Sequence, residues 1–389
     1  MAKSAPYSSP STNFSALPSA GSVLMASVGS LLVISLMMVA SASIPFAVSI
    51  GNPDLYFFYN QLTFIGIGIF LATVTYFFRL SWFYEMVLQF AMLAITTLLL
   101  IVTLFGDTIN GSKRWIEIGS FNFQTAELVK LVMVLFVADF VVRRSHDVRG
   151  SWEGFYRMFI VFAIIGTLLL LQPDFGSLVI IVGTIFAIFF VAGAPKEQYF
   201  TFTALATGLF TMAIMTQNYR LVRVQSFLDP FDDMSNTDYQ LARSLIAFGR
   251  GEGTGVGYGE SLQKLAHLPE SHTDFLLAIT GEELGFVGVL TVLLLQALVI
   301  GSTLRISYNA LKRKQMRLSY TAFGFAVIFI GQTFVNAGMT MGVLPTKGLT
   351  MPFFSYGGSA MVVRLIMVGL LLKINHQSPR IDPAKCRHY

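Results

Sequence analysis

The chain of 389 residues is 54% hydrophobic and only 12% charged, with a mean hydropathy of +0.67. A soluble domain carries about 25% charged residues, so that class is excluded. Several apolar runs reach the roughly 20 residues that cross a bilayer, which indicates an all-α polytopic membrane protein. The net charge of +5 then reads as loop orientation rather than nucleic-acid binding, and the single cysteine, Cys386, excludes an internal disulfide.

In chain order, residues 1–20 are rich in Ser, Pro and Ala and lack the positive-then-apolar order of a signal peptide; they are expected to be a disordered tail. Ten spans are predicted, near 22–43, 57–77, 83–105, 125–142, 155–171, 177–193, 199–217, 275–300, 320–338 and 356–374. With the N-terminus in the cytoplasm, about twice as many Lys and Arg residues fall in inner as in outer loops. Both termini are therefore expected inside, the membrane domain covering 21–375 and a second cytoplasmic tail 376–389. One large outward loop, about 218–274, connects spans seven and eight, and a connection of that length usually carries function.

That loop holds three patterns. Asp238–Gly249 (DYQLARSLIAFG) reads as an amphipathic helix of the kind that lies on a membrane surface. The glycine-rich GRGEGTGVGYGE after it fails as a dinucleotide fingerprint, because the third glycine would fall on Tyr258; close backbone approach explains it better. Asp229–Asn236 (DPFDDMSN) has the carboxylates of a magnesium box but no partner box, and reads as a solvated turn. His267, Glu270, His272 and Asp274 lack helix-face spacing and are interrupted by Pro269, which argues against zinc. The Asn110-Gly-Ser tripeptide is a glycosylation sequon of the kind that arises by chance.

Charges inside the spans say more. Glu127 and Lys130 are spaced i, i+3 in the fourth span and can pair. Arg364 lies within the tenth span, and Glu282 and Glu283 within the eighth. Each isolated charge near the bilayer centre costs roughly 2.5–3.5 kcal/mol on insertion scales. Two readings follow: internal ion pairs that lock helices, or a polar cavity in the bundle. The orientation places Glu127, Asp174, Asp274 and Arg364 in the outer half, so an outward-opening cavity for an anionic or sugar-like substrate is expected.

The segments MMVASAS (37–43), NGSKRWIEIGSFNFQTAELVKL (110–131), QPDFGS (172–177), YQLARSLIAFGRGEGTGVGYGESLQKLAHLPESHTDF (239–275), GEELGFVG (281–288) and LPTKGLTMPFFSYGGS (344–359) resemble the SEDS family. Its members are bacterial polymerases of peptidoglycan glycan strands, and the Thr-Lys-Gly-Leu-Thr run is more like the cell-division branch than the elongation branch. One departure is Gln124-Thr125-Ala126-Glu127, where the family usually has Gln-Pro-Ser-Glu; it leaves the local helix start open.

The resemblance implies a lipid II polymerase of septal cell-wall synthesis, with undecaprenyl diphosphate as leaving group, at the division septum of a bacterial inner membrane. It implies Asp274 as the catalytic carboxylate, a base for the attacking sugar hydroxyl, and substrate contacts among Arg114, Trp115, Glu127, Lys130, Asp174, Arg243, Lys347 and Arg364. A divalent cation, Mg2+ or Mn2+, is a candidate to help the diphosphate leave; no organic cofactor is expected. The implied partners are lipid II, a class B penicillin-binding protein of the FtsI type, divisome proteins of the FtsQ, FtsL and FtsB type, and membrane lipids. The rival readings are a flippase that carries lipid II across the membrane and a scaffold that only recruits the transpeptidase.

Overall fold

The computed structural model describes residues 18–106, 113–118, 121–201, 239–265 and 268–377, with a few single positions between 203 and 231. The predicted span at 199–217, the DPFDDMSN turn apart from Phe231, the Asn110 sequon, His267, Cys386 and both tails lie largely or wholly outside the described residues.

Eleven α-helices are described, with a short 3-10 helix at Leu80–Tyr84: α1 (Ala20–Ser49), α2 (Tyr56–Phe77), α3 (Met86–Leu104), α4 (Thr125–Arg143), α5 (Ser145–Gly150), α6 (Trp152–Leu171), α7 (Phe175–Ala192), α8 (Tyr239–Gly251), α9 (Leu276–Lys312), α10 (Met316–Thr340) and α11 (Gly358–Gln377). Among the described residues, eight are long and apolar enough to cross a membrane: α1, α2, α3, α6, α7, α9, α10 and α11. α1 runs past its predicted end through Pro45, which spanning helices tolerate. The expectation of purely helical structure meets one exception, an antiparallel hairpin of β1 (Trp115–Ile118) and β2 (Phe121–Gln124) that pairs Trp115 with Gln124.

α4 is the exception among the long helices. Glu127, Lys130, Asp139 and Arg143 keep it from reading as a simple apolar span, yet all but three of its residues are buried. It packs against α3, α7 and α10 and so stands inside the bundle, where its charges find partners. Asp139, fully buried, pairs with Arg143 on the same helix and with Arg317 of α10 at 3.0 Å. The helix start left open by the missing proline is Thr125, directly after β2; the Gln124 backbone N–H donates to Ser359 Oγ at 2.9 Å. Glu127 in the first turn complements the helix dipole.

The glycine-rich loop and the start of α9 explain each other. α9 breaks at Gly285 (φ 66°, ψ −164°), which frees carbonyls from the helical ladder. Val256 N–H donates to Glu282 O at 3.0 Å and Gly257 N–H to Glu283 O at 3.1 Å; in return Phe286 N–H donates to Glu252 O at 2.9 Å. A Cβ on Gly251 would stand 1.8 Å from Gly281 O, and one on Gly255 2.1 Å from Glu283 O. This is the close backbone approach that the glycine pattern suggested. α8, expected on the membrane surface, instead packs its apolar face on α9 and α10, with Ser244 Oγ donating to Thr340 O at 2.7 Å. An amphipathic face needs only something apolar to cover it, and here the bundle supplies it.

Glu282 and Glu283 are clamps for this loop. Glu282 accepts from Arg250 at 2.6 Å, from the Leu262 and Gln263 backbone at 3.1 and 3.2 Å, and from Ser261. Glu283 pairs with Lys264 at 2.8 Å and accepts from Ser41 Oγ of α1 at 2.6 Å. Buried carboxylates persist when paired and hydrogen-bonded, and both are.

A candidate active-site cavity around Asp274

A cavity of about 570 Å³ lies where the first turns of α2, α4 and α11 meet the β-hairpin, the turn before α9 and the 345–357 loop. Its wall mixes apolar and polar groups: Phe57, Phe64 and Leu349 beside Asn60, Arg114, Trp115, Asn122, Gln124, Glu127, Gln240, Glu270, Thr273, Asp274 and Thr350.

Asp274 sits two residues before α9, on a turn closed by the Thr273 and Phe275 N–H groups, which both donate to Glu270 O at 3.2 Å. Glu270 holds φ at +55°, a left-handed conformation uncommon for a residue with a side chain. Thr273 Oγ1 donates to its carboxylate at 2.7 Å. Pro269 before it helps fix the bend. The Asp274 carboxyl is half-buried. Burial first, then the Glu270 carboxylate, push it up from 3.8 to about 7, against the pull of Arg114 and Arg364.

His272, next but one, is packed against the rings of Phe46, Phe57 and Tyr356 at 5.1, 4.7 and 5.6 Å. Burial drives its pKa down to about 4, with Glu270 opposing, so a neutral imidazole fills space behind the acid. Among the described residues, no three His, Cys, Asp or Glu gather to hold a metal ion.

The 345–357 loop forms the opposite wall. Gly348 comes so close that a Cβ there would stand 3.1 Å from Asp274 Oδ2. The two walls are tied together by Asn336 of α10, fully buried, whose Nδ2 donates to Asp274 O at 2.8 Å and to Leu349 O at 2.7 Å. Arg364 of α11 holds the same loop: its Nη2 donates to Thr350 Oγ1 at 2.7 Å and Thr350 O at 3.2 Å, and its Nη1 to Met351 O at 3.3 Å.

Beneath the cavity lies a chain of charge. Glu127 Oε1 takes Lys130 Nζ at 2.8 Å, Gln332 Nε2 at 3.3 Å and Arg364 Nη2 at 3.5 Å. Lys130 is fully buried and Arg364 is 1% exposed. Of the pair, the acid faces the cavity and the lysine stands behind it. The two sequence readings therefore merge, since a helix-locking ion network also forms part of the cavity wall.

The structure thus gathers Asp274, Arg114, Trp115 and Glu127 in the wall, with Arg364 and Lys130 in the layer behind. Arg114 Nη2 donates to Pro173 O at 2.6 Å, which fixes its guanidinium beside the cavity. Asp174, expected to meet substrate, does not line the cavity: it caps α7, accepting from Ser177 N–H at 3.1 Å, and is buried. Asp174 is the aspartate of the QPDFGS motif, and its cap on Ser177 of the same motif accounts for its place there. Lys347 and Arg243 also lie outside the wall. The Lys347 ammonium stands 4.6 Å over the Phe175 ring beside Gly348, and the Arg243 guanidinium 5.5 Å from the Tyr239 ring, one turn from Gln240. Asn336, Gln240, Asn122 and Tyr356 are not among the site residues expected from the sequence. The last three lie inside the segments that carry the family resemblance, which is the signal available for them; for Asn336 it is an amide in an apolar run.

Residues 22–380 match the family model for FtsW, RodA and SpoVE, described as cell cycle proteins. A probable peptidoglycan glycosyltransferase FtsW of Acinetobacter baylyi is 41% identical over 94% of this chain and 91% of its own. The corresponding protein of Legionella pneumophila is 40% identical over 91% and 90%. Among solved structures, a chain of a peptidoglycan synthase complex that coordinates polymerization and crosslinking superposes with a TM-score of 0.74 at 27% identity, over 92% of this chain and 98% of that one. The rod shape determining protein RodA of Thermus thermophilus gives 0.66 at 26%, over 92% and 97%. The motif resemblance and these matches point to one family.

Proposed function

Because the chain belongs to the FtsW/RodA/SpoVE family of cell cycle proteins, we propose that it is a peptidoglycan glycosyltransferase that polymerises lipid II into glycan strands, with Asp274 as its base. The observation that supports this most is a carboxyl poised near neutrality in a cavity large enough for sugar and bordered by guanidinium groups.

The acceptor sugar hydroxyl binds within reach of Asp274 and gives up its proton to the carboxylate as its oxygen attacks the anomeric carbon of the donor. The bond from that carbon to undecaprenyl diphosphate breaks, and the electron pair leaves with the diphosphate. A base with a pKa near the working pH combines adequate ionisation with adequate proton affinity. Charge on the departing diphosphate is met by Arg114 in the wall, with Arg364 behind it and Lys347 and Arg243 at the margins. Gln240, Asn60 and Asn122 offer hydrogen bonds to sugar hydroxyls. Among the described residues no three His, Cys, Asp or Glu side chains gather as a cage for Mg2+ or Mn2+; Glu270 and Asp274 are the carboxylates that would hold such a cation, which would supply positive charge to the departing diphosphate.

In this reading the chain has ten spans, both termini in the cytoplasm and its large 218–274 loop in the periplasm, so the Asp274 cavity faces outward where lipid II is consumed. The site of action is the division septum of the inner membrane, beside a class B penicillin-binding protein and divisome proteins of the FtsQ, FtsL and FtsB type. The test is purified chain with its transpeptidase partner and lipid II, with glycan polymer as readout. Polymer from wild type and none from Asp274→Asn is expected. Polymer from Asp274→Asn at the wild-type rate refutes the base, and lipid II translocation without polymer favours the flippase reading.

A further inference from the structure

At the end of the bundle away from Asp274, the structure opens a second cleft, of about 630 Å³, between the first turns of α1 and the last turns of α2 and α11. Ala360, in the wall of the Asp274 cavity, and His376, in this cleft, are sixteen residues apart on α11, or about 24 Å along the helix. The two cavities are therefore separate sites.

The cleft is graded. Its depth is apolar, with Val28, Leu32, Leu365 and Val368, and its mouth is polar, with Ser19, Ser22, Tyr76, Asn375 and His376. Gly29 leaves room: a Cβ there would meet nothing within 4 Å. From Ser22 to Leu32 the shaft runs ~15 Å along α1, about half the 30 Å hydrocarbon core, which is the depth of one leaflet. At the mouth the Tyr76 ring has two basic residues near it, Lys373 Nζ at 5.5 Å and His376 at 6.0 Å. Arg79 follows two residues after α2. Among the described residues, none of the three is paired with a carboxylate.

We propose that this cleft is a binding site for an anionic phospholipid, one acyl chain lying between α1, α2 and α11 and the phosphate at Lys373, His376 and Arg79. An apolar shaft of this size is neither packed by protein nor suited to water, which needs polar partners. Between spanning helices the available apolar filler is an acyl chain. Basic groups at the depth of the headgroups on the cytoplasmic side select negative charge. The assignment of the mouth to the cytoplasmic leaflet rests on the topology proposed above; the binding itself does not rest on polymerase activity.

The experiment is native mass spectrometry of the full purified chain, exchanged into mixed micelles with phosphatidylglycerol or phosphatidylcholine. Three proteins are compared: wild type, Gly29→Phe, which fills the shaft, and a Lys373→Gln/His376→Gln double variant. Wild type should retain a phosphatidylglycerol molecule about tenfold over phosphatidylcholine. Gly29→Phe should lose it while keeping the wild-type unfolding temperature in plain detergent, and the double variant should bind both lipids alike. Equal retention of the two lipids by wild type means ordinary boundary lipid and overturns the proposal, as does undiminished phosphatidylglycerol on Gly29→Phe. If Gly29→Phe does not fold, the double variant decides: an unchanged preference for phosphatidylglycerol overturns the phosphate site.

Discussion

Lowering the pH from 8 to 6 should reduce polymerisation by about tenfold. With the Asp274 carboxyl at about 7, about 91% is ionised at pH 8 and about 9% at pH 6, and only the ionised form accepts the hydroxyl proton. The same shift carries a stability cost of defined sign. The folded value lies above the ordinary 3.8, so the folded state binds the proton more tightly than the unfolded one. Stability from this group is therefore full below about pH 4 and falls as pH rises toward about 7. The interval corresponds to about 4 kcal/mol between protonation states, and hydration from the open side of the cavity leaves ~2 kcal/mol of it. Asp274→Asn should then be inactive but more stable than wild type by ~2 kcal/mol at pH 8, and equal to it at pH 4. Glu270→Gln removes the neighbouring charge that raises the carboxyl, so its acid limb should move to lower pH. The assay is initial polymerisation rate from lipid II across pH 5.5–8.5, paired with thermal unfolding in detergent. A flat rate between pH 6 and 8, or an Asp274→Asn variant less stable than wild type at pH 8, rules out Asp274 as a base with a raised pKa.

Asn336→Ala leaves the Asp274 and Leu349 carbonyls without their donor, at about 1–3 kcal/mol each. Drift of the two walls should cost about 10²-fold in kcat with a smaller change in KM, measured by steady-state polymerisation; proportional loss of folded protein alone would count against a positioning role. Exchanging the pair as Glu127→Lys with Lys130→Glu should yield folded but inactive protein, because Arg364, 3.5 Å from Glu127, would then face a cation; recovered polymerase activity disproves this. Gly255→Ala should destabilise by ~3 kcal/mol or more, since its Cβ would meet Glu283 O at 2.1 Å and φ is +82°; an unchanged unfolding temperature contradicts the loop-to-helix packing described.

Local rules made much of this protein legible. Hydropathy over about 20 residues marks a span because lipid cannot satisfy a bare backbone, and the described spanning helices fall close to where the sequence puts them, apart from their ends. Glu127 and Lys130 are readable as a pair because i, i+3 spacing sets their distance on any helix. The HTD segment and its Asp274 are readable from the motif itself. The hairpin at 115–124 and the break at Gly285 are not, because each depends on groups far away in the chain. The break exposes carbonyls that only the 252–257 loop can satisfy. The amphipathic pattern of α8 fixed a buried face but not its cover, since a bilayer surface and the flank of α9 ask for the same apolar stripe. Asp174 and Asp274 look alike in sequence, each at the outer end of a span. Tertiary structure makes the first a helix cap and sets the second opposite Gly348, between Glu270 and Arg114. The raised proton affinity of Asp274, on which its proposed role as base rests, is a sum over those neighbours and the burial they create, and that sum exists only once α2, α4, α10 and α11 have closed around it.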